Sequence, residues 1–213
     1  MIAPPRLIAI SDSTRSDFEP WLGQLESLLA RAAPDRVLVM LRDRQLDARE
    51  RLALGERLRE LTRRHGQRLS VNDRLDLALL LDADAVHLSE SSVDPSDVRS
   101  YASRHARSFW VSRALHVADD AARTDADALL LSPIAEARKG NPPLGVAGIA
   151  SARAALGRRT SAAAPCALYA LGGITSATAE TCLNAGADGV ALIGALLEPD
   201  APRLLVERLR IAR

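Results

Sequence analysis

The chain has 213 residues, 47% hydrophobic and 26% charged, and its 28 basic and 27 acidic side chains leave a formal charge of +1. That is enough apolar material for a large buried core, so a disordered tail, a linker or a fibre is excluded and a single domain over residues 1–213 is expected. A near-neutral balance gives no long-range field for nucleic acid, and Arg63-Arg64 and Arg158-Arg159 read as helix C-termini, where cations complement the dipole.

Short apolar runs alternate with helical patterns from one end to the other. Leu7 to Ile10 reads as a strand, and Trp21, Leu22, Leu25, Leu28 and Leu29 then mark one face of a helix from about Asp17 to Ala33. Val37 to Leu41 is the second strand. Asp47 with Glu50 forms a capping box, opening a helix with Leu54, Leu58 and Leu61 as its buried stripe that runs to His65 and stops at Gly66. Arg68 to Val71 precedes a helix from about Arg74 to Leu81, and Ala85 to Leu88 precedes one opened by Asp94-Pro95. Phe109 to Ser112 leads into a short helix near Val117 to Thr124, and Leu129 to Leu131 into a longer loop holding Gly140-Asn141-Pro142-Pro143. Helical texture resumes at about Val146. Cys166 to Leu171 is the seventh strand, a helix from about Ser176 to Ala185 follows it, Gly189 to Ile193 is the eighth, and a helix from about Pro202 to Arg210 comes last.

Eight strand-helix units of about 27 residues each suit a compact (β/α)8 TIM barrel, with a doubly wound open sheet as the competing architecture. Apolar strands such as Ala128 to Leu131 fit a parallel sheet covered by helices. Two cysteines, Cys166 and Cys182, read as reduced thiols, and with no charged-then-apolar leader before residue 7 the expected location is the cytoplasm. No apolar run reaches the roughly 20 residues of a membrane helix.

In such a barrel the reactive groups stand at the C-terminal ends of the strands. Gly172-Gly173 after strand seven and Gly194-Ala195 after strand eight are small-residue turns that can aim backbone N–H groups at a phosphate, or can merely turn the chain. Arg42 and Arg44 after strand two suit an anionic ligand, or form a solvated pair bracketing Asp43. After strand three, in Asn72-Asp73-Arg74, Asp73 reads better as a helix cap than as a metal ligand. His116 follows strand five in a small-residue loop and can move protons near neutral pH, whereas His65, His87 and His105 read as structural. Lys139 beside Arg138 reaches a phosphate or is solvated.

Several segments in this order resemble the thiamine phosphate synthase and TenI superfamily over nearly the whole chain. They are Leu41-Arg42-Asp43-Arg44, Val71 to Ala78, Ala85-Val86-His87-Leu88, Ser132-Pro133-Ile134, Tyr169 to Ile174, and Ala187 to Ala191. The resemblance implies a barrel that binds thiazole phosphate, with Asn72 among the ligand-binding residues. Synthases join a pyrimidine diphosphate to thiazole phosphate, using carboxylate-held magnesium and cationic side chains against the departing diphosphate. Arg42, Arg44 and Asp73 match that apparatus, with Arg44 in place of the usual Lys. Met40 replaces the usual Gln, the second magnesium carboxylate falls on Ser92, and the Thr-rich loop after strand six reads Ala135-Glu136-Ala137-Arg138-Lys139. Ser112-Arg113-Ala114-Leu115-His116 looks like the Gly-Arg-Ser-Val-His segment of TenI-type thiazole tautomerases, whose His moves a proton.

The expected function is therefore that of a TenI-like thiazole tautomerase, without a cofactor, in which His116 transfers a proton and Gly172, Gly173, Gly194 and Ala195 hold phosphate. The alternative is thiamine phosphate synthase, with Arg42, Arg44 and Lys139 on diphosphate and Asp73 on magnesium. A third reading is an inactive ligand-binding barrel. The expected partner is a phosphorylated thiazole, with no nucleic acid or membrane, and a homodimer is left open.

Overall fold

Every apolar run named above is a strand in the computed structural model, which describes residues 4–15, 17–138, 140–158 and 165–213. The strands are β1 Leu7–Ile10, β2 Val37–Leu41, β3 Arg68–Asn72 and β4 Ala85–Leu88. They continue as β5 Trp110–Leu115, β6 Ala128–Leu131, β7 Ala167–Leu171 and β8 Gly189–Leu192. Each pairs in parallel with the next, and β8 closes on β1 with Leu7 opposite Val190 and Ala9 opposite Leu192. The result is a (β/α)8 barrel. The open doubly wound sheet is ruled out by that closure.

The helices are α1 Phe18–Arg31, α2 Ala48–Arg64, α3 Leu75–Leu80, α4 Pro95–Arg104, α5 Gly145–Gly157, α6 Ala179–Asn184 and α7 Ala201–Arg208. The Asp47 and Glu50 capping box is formed, and a second joins Asp94 to Asp97. Three local expectations are corrected. The helix near Val117 to Thr124 is a 3-10 helix, Ala118–Arg123, a geometry suited to so short a piece. Strand five runs on to Leu115, because Arg113 turns its charge outward to Asp94 and to the Glu90 carbonyl. Leu61 is only half-buried, and Arg51 and Gly55 join Leu54 and Leu58 on the buried face of α2. No helix among the described residues is long and apolar enough to cross a membrane.

Alternation along each strand sorts side chains into two cores. Ile8, Ile10, Leu38, Met40, Leu130 and Tyr169 fill the barrel, while Leu7, Val37, Val39, Val71 and Leu129 face the helices. Small residues (Ala85, Ala128, Ala167 and Ala191) make room inside for Tyr169 and Trp110, whose rings meet edge to face at 6.1 Å. Gly189 is required at its position, because a Cβ there would sit 2.4 Å from the Arg6 carbonyl oxygen and 2.7 Å from the Tyr169 ring.

A repeated device closes the N-terminal face. Asp84, Asp127 and Asp188 each precede an even-numbered strand, and each accepts the backbone N–H of a residue in the strand before it: Leu69 at 2.8 Å, Val111 at 2.7 Å and Leu168 at 2.8 Å. Arg59, Arg99 and Arg153 on the outer helices pair with the same three carboxylates. This leaves the opposite face free for ligand.

Candidate active site

Continuing the interior alternation past the strand ends places polar side chains around an apolar floor. The cavity there has a volume of about 550 Å³, floored by Ile10, Met40, Leu130, Leu171 and Ile193. Arg42, Arg44, Asn72, His116 and Gly172, all picked out in the sequence, line it. Gly173, Gly194 and Ala195 are not among the lining residues; they stand beside it on the β7 and β8 turns. Lys139 lies outside the described residues. Arg138, Glu90, Gln45, Asn141 and His87 also line the cavity and were not singled out as ligand-binding residues.

Buried carboxylates fix the arginine side. The residue between the two guanidiniums, Asp43, is 1% exposed, whereas Arg42 is half-buried and Arg44 exposed, so the solvated reading fits Arg44 but not Arg42. It accepts hydrogen bonds from the Ser11 hydroxyl and the Ser13 N–H, and one from the Gln45 amide at 3.3 Å. Burial alone would raise its pKa, but the bonds from Ser11 and Ser13 outweigh that and hold it below the usual carboxylate range. The Ser11 hydroxyl oxygen in turn accepts the Arg42 N–H at 3.1 Å, and the Arg42 side chain pairs with Asp12 at 3.1 Å. Desolvation pulls Arg42 below its ordinary value; Asp12 opposes this and Arg138 adds to it.

Asp73 is not a helix cap. Its backbone is left-handed, with φ of 55°, and its carboxylate turns to the rim instead of to α3. There it accepts the Ser89 N–H at 2.8 Å, the Asn72 amide at 2.7 Å and the Arg44 guanidinium at 2.9 Å. Burial would raise its pKa, yet the Ser89 backbone and hydroxyl, the Ser92 hydroxyl and the Arg44 charge together lower it. Arg51 from α2 donates to the Asn72 carbonyl at 2.9 Å and steadies this turn.

Two histidines face the cavity from adjacent strands. His87 bonds through Nδ1 to the Ser112 hydroxyl at 2.9 Å, and burial pulls its pKa down to about 4, so it is neutral at physiological pH. His116 donates from Nδ1 to the Ser132 carbonyl at 2.8 Å, which leaves Nε2 as the unprotonated nitrogen of the neutral ring, 3.9 Å from the Glu90 carboxylate. An imidazole held by one nitrogen beside a carboxylate can accept and return a proton.

On the β7 and β8 side, Gly172 and Gly173 have φ of 100° and 68°, the left-handed region that glycine adopts freely. The Gly172 carbonyl is taken by the Ala135 N–H at 2.8 Å, and Glu136 packs over Gly173, with its carboxylate carbon 3.0 Å from where a Cβ would stand. Arg15 reaches Gly194 in the same sense, its Nη1 also 3.0 Å from the place of a Cβ. Its Nε and Nη2 are held by Asp17 at 2.9 and 2.8 Å.

A family model described as thiamine monophosphate synthase matches residues 7–196. The chain belongs to this family. Among relatives within it, a thiamine-phosphate synthase of Thermus thermophilus is 36% identical over 181 residues, covering 81% of this chain and 82% of its own. A protein of Aquifex aeolicus named putative thiamine-phosphate synthase 2 is 34% identical over 196 residues, covering 91% and 98%. A solved thiamine phosphate pyrophosphorylase from Pyrococcus furiosus superposes with a TM-score of 0.77 at 23% identity, covering 96% and 95%, which is a likeness of fold. These names favour the synthase over the tautomerase expected first, and none of them supports the tautomerase specifically.

Magnesium, which the family resemblance implies for a synthase, is not matched by the donor set. A carboxylate oxygen has about two acceptor sites, and both of those on Asp73 Oδ2 are met by the Asn72 amide and the Arg44 guanidinium, with the Ser89 N–H on Oδ1. The position of the second carboxylate is the Ser92 hydroxyl. No group of three or more His, Cys, Asp or Glu side chains among the described residues is placed to hold a metal ion.

Proposed function

We propose that this chain works in thiamine biosynthesis as a synthase, joining a pyrimidine carried as its diphosphate to a thiazole phosphate and releasing diphosphate. The observation that carries the reading is the convergence of Arg42, Arg44 and Arg138 on one apolar-floored cavity. As the carbon–oxygen bond to diphosphate breaks, negative charge gathers on the leaving group, and preorganised guanidiniums are where that charge is stabilised. Met40, Leu130 and Ile193 keep water from the electron-poor pyrimidine carbon until the thiazole nitrogen forms the new bond. Gly172 at the wall, with Gly173, Gly194 and Ala195 on the adjacent turns, is proposed for the thiazole phosphate, and Arg15 adds charge beside Gly194.

A second reading is favoured by one observation, the orientation of His116. With Nδ1 tied to Ser132 and Nε2 free near Glu90, the ring is set for proton transfer to and from a thiazole, as in a tautomerase. One experiment separates the readings: purified chain is given both substrate sets, and thiamine phosphate, diphosphate and tautomerised thiazole are quantified. Thiamine phosphate with equimolar diphosphate supports the synthase. Tautomer without diphosphate, lost in His116→Gln, supports the second reading. Thiazole phosphate binding with neither product leaves a binding barrel.

A further inference from the structure

We propose that in this chain the Arg44 guanidinium holds the place beside Asp73 that a divalent cation would take, so that the polyanion end of the cavity binds a diphosphate-class anion without a metal ion. Three observations carry it. First, Arg44 Nη2 lies 2.9 Å from Asp73 Oδ2 and 3.5 Å from Asn72 Oδ1, contacting through a cation the oxygens that otherwise face the cavity. Second, Asp73 Oδ2 has no acceptor site to spare, because the Asn72 amide donates to it beside Arg44, while the Ser89 N–H takes Oδ1. A metal ion at Oδ2 has to displace Arg44 or the Asn72 amide. Third, the anion-facing cations are supplied by the chain itself, since Arg42 and Arg138 line the same cavity closely enough for each to feel the other's charge. Guanidinium forks match phosphoryl oxygens two at a time, and clustering like charges in a half-buried mouth favours an incoming anion that relieves their repulsion.

This inference rests on the polyanion part of the proposed function and is tested apart from turnover. Inorganic pyrophosphate is titrated calorimetrically into the full chain, once in EDTA and once with excess magnesium. The expected dissociation constants differ by less than about fivefold, and Arg44→Gln weakens binding in EDTA by at least about tenfold. Asp73→Asn, which releases the guanidinium, leaves binding in EDTA intact or tightens it. Strengthening by magnesium beyond fivefold, unchanged affinity in Arg44→Gln, or no pyrophosphate binding in either buffer overturns the inference. Product formation that requires magnesium removes this inference and keeps the synthase. Metal-free pyrophosphate binding without product formation does the reverse.

Discussion

Replacing Asp43 by Asn keeps the side-chain shape under the cavity mouth and removes its charge. The carboxylate accepts from the Ser11 hydroxyl and the Ser13 N–H in a place 1% exposed to solvent. An amide offers one acceptor and turns its NH2 against a donor. Hydrogen bonds to a charged acceptor contribute about 1.5–3 kcal/mol each, and one of the two is partly recovered, so the expected loss is about 3 kcal/mol. Against a total stability of about 5–15 kcal/mol the variant still folds. Because hydrogen bonding holds the folded-state pKa of Asp43 below the ordinary aspartate value of 3.8, its contribution is fully present above that value and is lost as pH falls through the folded-state pKa. Urea unfolding at neutral pH and in steps into the acid range should therefore show a gap between native and Asn chains that closes in acid. Pyrophosphate affinity should drop as well, since Ser11 also receives the Arg42 N–H. A gap under about 0.5 kcal/mol at neutral pH, or one that persists unchanged in acid, would refute the reasoning.

Other outcomes are equally specific. Gly189→Ala drives a Cβ into the Arg6 carbonyl and the Tyr169 ring and should cost about 3 kcal/mol, whereas Gly23→Ala in α1, with nothing within 4 Å, should stabilise by about 0.5–1 kcal/mol; urea midpoints decide both. His87, with its pKa pulled from 6.5 to about 4, should show no ring titration by NMR near neutral pH, and because the unfolded chain takes its proton first, stability should fall as pH drops from 6.5 toward 4. In His87→Asn that part of the slope should vanish. Asp127→Ala strands the buried Val111 N–H and should cost about 1–3 kcal/mol, while Arg99→Ala, which removes only the half-exposed partner, should cost under about 1 kcal/mol.

The barrel was legible because each strand is a near-continuous apolar run and because Asp47, Glu50, Asp94 and Gly66 punctuate the helices by local chemistry. Residues directly beyond a strand end that line the candidate site, such as Arg42, Arg44 and His116, were legible for the same reason. Asp73 misled because an Asp before a helix looks like a cap until its left-handed backbone is seen. Arg138 and Glu90 were missed because they reach the cavity from loops whose course no periodicity records. A charge in sequence at Glu90 gives no sign that it faces His116 across the rim. His87 looked structural from its place inside a strand, and the alternation that brings it to the cavity wall is the signal that could have found it.

The proposed reaction turns on expulsion of diphosphate in this cavity. A phosphorus NMR time course of the purified chain with the pyrimidine diphosphate and thiazole phosphate, with and without magnesium, measures it directly. Diphosphate and thiamine phosphate should rise together in equal amounts. Substrate resonances that stay unchanged while proton NMR shows the thiazole ring tautomerising would contradict it.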